Sequence, residues 1–147
     1  MAEDRSNGTP ENQPPIPAAV ADALSAYPDD IRAQLLAVRG LIFAAAAERP
    51  EVGPLTETLK WGEPAYLTEA SGSGSTIRLG RDRASGHAAV LFNCRTTLID
   101  ACRERYADRF GYVGNRAILL TAPVEEAADE LSTCLAMALT YHRRAKP

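Results

Sequence analysis

Two cations and an amide, Lys60, Arg78 and Asn93, fall on segments that read as neighbouring strands. The stretch LKWGEPAYL, residues 59–67, adds Trp61, the only tryptophan of the chain, with Glu63 and Tyr66 close by. Cations beside a directed amide donor suit an anion or an amide group, while indole and phenol rings supply apolar or stacking area. These residue types point to binding, with Gly62 and Pro64 shaping the corner that carries them. Catalytic signals are weak. The chain contains no G-x-S-x-G elbow and no H-E-x-x-H or C-x-x-C spacing, and His87 and His142 stand in no recognisable setting beside a nucleophile. Cys94, next to Arg95, is expected as a buried, inert thiol. An enzyme would need a pocket that brings Cys94 or Glu57 together with His87.

Strand alternation sets two expectations for Trp61. Leu55, Glu57, Leu59 and Trp61 share one face of the segment 55–61, and Thr56, Thr58 and Lys60 share the other. Tryptophan is well buried on average, so the first expectation places Trp61 in the core with Leu55 and Leu59. Glu57 argues against a purely apolar face, because a buried carboxylate needs a partner such as an arginine, or a place near the sheet edge. In the second expectation Trp61 lines a cleft with Glu57, Lys60, Glu63 and Tyr66 as the nearest polar groups. On the next strands Thr76 and Arg78 oppose Ile77 and Leu79, and Asn93 aligns with them, so that Lys60, Arg78 and Asn93 would converge on an open sheet face.

Metal chemistry has only carboxylates to draw on. Asp29 and Asp30, with Asp22, Glu48 and Glu51 nearby in sequence, would be weak oxygen ligands, which makes iron the alternative to a protein without a cofactor. The SGSGS run at 71–75 leads into a strand and lacks the G-x-x-x-x-G-K-[ST] pattern, so it reads as a flexible hairpin loop and not as a phosphate cradle.

Composition narrows the classes further. At 147 residues and 46% hydrophobic content, one domain can bury a core without metals or disulfides. Three cysteines without paired spacing suggest reduced thiols, and no apolar run reaches the length of a membrane span, so a cytoplasmic protein is expected. Charge is uneven. Residues 1–59 carry nine acids against four bases, whereas residues 60–116 carry nine bases against six acids. Those bases are interleaved with acids, unlike the clustered footprint of a nucleic-acid binder, so neither nucleic acid nor membrane is an expected partner. A small molecule, a protein or a second copy of the chain fits better.

The elements that must position these residues follow from periodicity. Residues 1–16, with Pro10, Pro14 and Pro15 and few apolar side chains, predict a disordered tail ahead of a single domain at 17–147. A short helix carrying Val20 and Leu24 precedes a longer one over about 29–48, where Ile31, Leu35, Val38, Ile42 and Ala45 form one stripe. Strand-like runs follow at 55–61, 64–68, 76–80 and 88–94, and hairpin-length gaps between them imply an antiparallel meander. A helix over 96–110, a hairpin closing on Gly114-Asn115, and a last helix over about 123–143 complete the chain. The fold class expected is α+β, a mostly antiparallel sheet with helices on one face.

The segments YPDDIRAQLLAVRGLIFAAA, ETLKWGEPAYLT, GSTIRLG, VLFNCRTTLID and YVGNRAILL, in this order, resemble the YdhG-like group of bacterial domains of unknown function. The resemblance spans roughly residues 18–144, and its most specific part is Lys60, Trp61, Gly62, Pro64 and Tyr66. It implies a curved antiparallel sheet with helices on one side, similar to frataxin and secretion chaperones. Some members of the group are described as frataxin-like iron chaperones, which is what the resemblance adds to the iron alternative.

Overall fold

A computed structural model of the chain describes residues 13–144. Residues 1–12 of the expected tail lie outside the described residues. Two helices come first, α1 (Ala18–Ser25) and α2 (Asp29–Ala47), followed by four strands, β1 (Thr56–Lys60), β2 (Glu63–Leu67), β3 (Ile77–Arg81) and β4 (Ala88–Phe92). Then come α3 (Leu98–Arg105), the short strands β5 (Gly111–Val113) and β6 (Ala117–Leu119), a 3-10 turn (Val124–Ala127), α4 (Ala128–Leu139) and the single-turn α5 (Tyr141–Arg144).

The six strands make one open, fully antiparallel sheet in the order β1-β2-β3-β4-β6-β5. The fold is α+β. The first four strands follow one another as a meander, and α3 then carries the chain past the end of the sheet so that β6 pairs with β4 and β5 becomes the edge. Register sorts the side chains between the two faces. Tyr66, Ile77, Leu79, Val90, Phe92 and Ile118 point to the face covered by helices, where they join Leu35, Val38 and Ile42 of α2 and Leu131, Leu135 and Leu139 of α4 in one core. The stripe of α2 reads as the sequence implies: Ile31, Leu35, Val38, Ile42 and Ala45 are all buried.

Arg39 lies four residues after Leu35 on the flank of that stripe and is buried with it, 2% exposed. Its guanidinium bonds Glu57 of β1 through Nε at 2.6 Å and Nη2 at 2.8 Å, and lies 4.8 Å from the centre of the Phe43 ring. It also donates to Gln13 Oε1 at 3.1 Å and to the Pro14 carbonyl at 2.8 Å. The last residues of the segment expected as tail are therefore attached to the body of the domain. Gly40 makes room for this, since a Cβ there would stand 2.9 Å from Gln13 Nε2.

Two local expectations change. The SGSGS segment packs against the end of α4, with Ser73 and Ser75 buried. Ser73 Oγ donates to the Leu139 carbonyl at 2.8 Å and Ser75 N to the Ala138 carbonyl at 2.8 Å, and in return His142 N donates to the Ser73 carbonyl at 2.9 Å. A helix end leaves its last carbonyls without partners, and this loop supplies them. Gly74 is needed at the contact because a Cβ would fall 2.3 Å from the Leu139 carbonyl oxygen. The expected single helix over 123–143 is correspondingly broken into the 3-10 turn, α4 and α5. No helix among the described residues is long and apolar enough to cross a membrane.

Candidate functional site

The β1–β2 hairpin closes through a two-residue turn, Trp61-Gly62, with Lys60 and Glu63 paired on either side. Both turn residues have positive φ, +55° for Trp61 and +75° for Gly62, the conformation of a type I′ turn. Such turns favour Asn-Gly, and a residue with a large Cβ substituent there costs about 1–2 kcal/mol. The turn also lifts position 61 out of the strand alternation. Trp61 is 88% exposed, so the core expectation fails and the indole stands in solvent at the corner.

Tyr66, expected beside it, is on the opposite face. Its ring is fully buried and meets Phe43 edge-on at 5.9 Å, and its hydroxyl donates to Glu57 Oε2 at 2.8 Å. Burial first, then the Glu57 charge, pushes the Tyr66 phenol well above its usual range. Tyr66 is thus a core residue, and so is the Glu57 that alternation assigned to the inner face. β1 is an edge strand and Arg39 pairs with Glu57, so both of the alternatives that accommodate a buried carboxylate hold here.

On the open face the sheet brings Lys60, Trp61, Arg78 and Asn93 into one cleft of about 400 Å³. Thr76 and Arg116 complete its polar lining. Arg78 is half-buried and pairs with Glu63, whose carboxylate lies across Gly80; a Cβ at position 80 would stand 2.6 Å from Glu63 Oε2. Lys60 and Arg116 have no carboxylate within ion-pair distance among the described residues. Asn93 Oδ1 accepts from Arg95 N at 2.9 Å, which leaves the amide nitrogen to donate. Three cations against one carboxylate, with an amide and a hydroxyl, make the cleft a donor-rich, positively charged surface.

Arg116 was not singled out by sequence because it sits just after the Gly114-Asn115 turn and reads as a solvated hairpin residue. Its position is fixed by the backbone: Phe92 N donates to the Arg116 carbonyl at 2.7 Å, and Arg116 N donates to the Val113 carbonyl at 3.2 Å. Asn115 Nδ2 reaches the Cys94 carbonyl at 2.7 Å, and Arg103 of α3 donates to the Gly114 carbonyl at 2.6 Å, so the β5–β6 turn is tied to the end of β4 and to α3. Cys94, expected buried, is exposed at the margin of the cleft, whereas Cys102 and Cys134 are buried. Further along the same face Ala89, Ala117 and Leu119 form a small apolar floor flanked by Leu91 and Val113.

Asp29 and Asp30, considered for iron, are otherwise engaged. Asp29 pairs with Arg32 at 2.5 Å, and Asp30 Oδ1 accepts from Ile31 N at 2.9 Å. Among the described residues no group of three or more His, Cys, Asp or Glu side chains is placed to hold a metal ion.

Compared with protein-family models, with curated proteins and with solved structures, the chain finds no match in any of the three. The chemistry of the site therefore carries the functional reading alone.

Proposed function

We propose that this protein is a non-enzymatic binding domain that holds a small anionic ligand in the open-face cleft. The observation behind this reading is the convergence of Lys60, Arg78, Arg116 and Asn93, from β1, β3, the start of β6 and the end of β4, on one concavity whose free polar groups are almost all donors. A donor-rich, cationic cleft favours an oxyanion, carboxylate or phosphate, over a cation or a neutral acceptor-poor molecule. Its volume of about 400 Å³ lies in the range of small-ligand sites. Membership of the YdhG-like group with a frataxin-like shape is part of the same proposal and rests on the ordered segments over 18–144, the Lys60–Tyr66 motif above all; a cytoplasmic location is proposed from the unpaired cysteines.

Calorimetric titration with inorganic phosphate and with small dicarboxylates at low ionic strength tests it. Saturable binding lost in Lys60→Ala plus Arg116→Ala is the expected result. Binding that survives this double substitution would place the site elsewhere. For the iron alternative, ferrous iron is titrated into the wild type and into Asp29→Ala plus Asp30→Ala. A saturable signal abolished by the substitutions would favour iron over the anion reading.

A further inference from the structure

Trp61 contributes little buried area to the fold. It occupies a left-handed position where Asn or Gly would be relaxed, and it exposes 88% of its surface. A large apolar side chain held in water at the cost of backbone strain is what a binding contact looks like before its ligand arrives. The turn sets Trp61 in the lining of the cleft, next to Lys60 in sequence and together with Arg116 and Asn93.

Resting on the anion reading above, we infer that the ligand is an aromatic oxyanion, a planar ring bearing a phosphate or carboxylate. Its charged group sits among Lys60, Arg78 and Arg116, and its ring stacks on the Trp61 indole. An aliphatic anion would use the cations alone and leave the indole solvated. Stacking on an exposed aromatic side chain is worth roughly a tenfold gain in affinity, and the ring quadrupole tolerates the adjacent Lys60 ammonium. The two-residue turn keeps Trp61 attached to a rigid hairpin, which limits the entropy lost on stacking.

Phenyl phosphate and inorganic phosphate, titrated by calorimetry into the wild type and into Trp61→Asn, separate the two claims. The substitution suits the turn, so the fold is retained, and circular dichroism confirms it. The expected result is that phenyl phosphate binds the wild type about tenfold more tightly than phosphate, and that Trp61→Asn abolishes this difference without weakening phosphate binding. Equal affinities for the two probes in the wild type would overturn the aromatic class and leave the anion site standing. A preference for phenyl phosphate that persists in Trp61→Asn would also overturn the stacking role. Failure of both probes to bind would overturn the anion reading itself, and this inference with it.

Discussion

Arg39 of α2 and Glu57 of β1, eighteen residues apart in sequence, form a two-point ion pair whose side chains are 3% and 6% exposed. The Tyr66 hydroxyl, Gln13 and Pro14 add three further hydrogen bonds to the pair. Two buried charges are tolerable only while each has the other. Arg39→Ala or Glu57→Ala alone is expected to destabilise the domain by about 3–5 kcal/mol, because the remaining charge stays buried without a partner. The triple change Arg39→Met, Glu57→Leu, Tyr66→Phe removes both buried charges and the phenol hydroxyl at once and is expected to recover most of that loss. Urea unfolding midpoints decide the matter; a triple variant no more stable than the singles would mean that the network specifies the packing itself.

Alkaline pH should weaken the fold. Burial pushes the phenols of Tyr66, Tyr112 and Tyr27 up, aided at Tyr66 by the Glu57 charge and at Tyr27 by that of Glu63. The unfolded chain releases these protons near pH 10 while the folded chain retains them, so the unfolded state binds fewer protons and stability falls as pH rises past about 10. Below that window the groups are neutral in both states and contribute no slope. Tyr66→Phe is expected to be less stable than wild type at pH 8, by about 1 kcal/mol for the lost hydrogen bond, yet to lose less stability between pH 9 and pH 11. An identical slope in the two proteins would show that Tyr66 does not carry the effect.

Trp61 is expected to emit at the position of a solvated indole and to be quenched efficiently by iodide. Trp61→Asn should raise stability by about 1 kcal/mol, since it relaxes the left-handed turn and removes little packing. A destabilised variant would mean that the indole makes contacts of structural value.

Thiol reactivity should divide the three cysteines. Cys94 is exposed, while Cys102 and Cys134 lie in the core between α3 and α4. One equivalent of a thiol reagent is expected to react under native conditions and three in denaturant, with Cys94→Ser abolishing the native reaction. Reaction of a second thiol in the native protein would reveal opening of the α3–α4 contact.

Much of the fold was written in local periodicity. The α2 stripe repeats at helical spacing, the first four strands stand out as short runs between turn residues, and their short gaps oblige neighbours to pair antiparallel; each signal arises within a dozen residues. Strand alternation placed Glu57 inward and Lys60, Arg78 and Asn93 outward on the basis of side-chain period alone. Tertiary structure decided what depends on partners distant in sequence or on a single turn. Positive φ at Trp61 overrode strand alternation and moved the indole from core to corner, which no pattern of hydrophobicity encodes. The SGSGS loop became ordered because the end of α4, 66 residues beyond Ser73, presents carbonyls that lack partners within the helix. Arg116 entered the cleft because α3 sends the chain around the sheet and returns β6 beside β4, joining a cation to Lys60 and Arg78 across 38 residues of sequence from Arg78. Local sequence sets which face a side chain takes, and only assembly of the sheet sets which side chains become neighbours on that face.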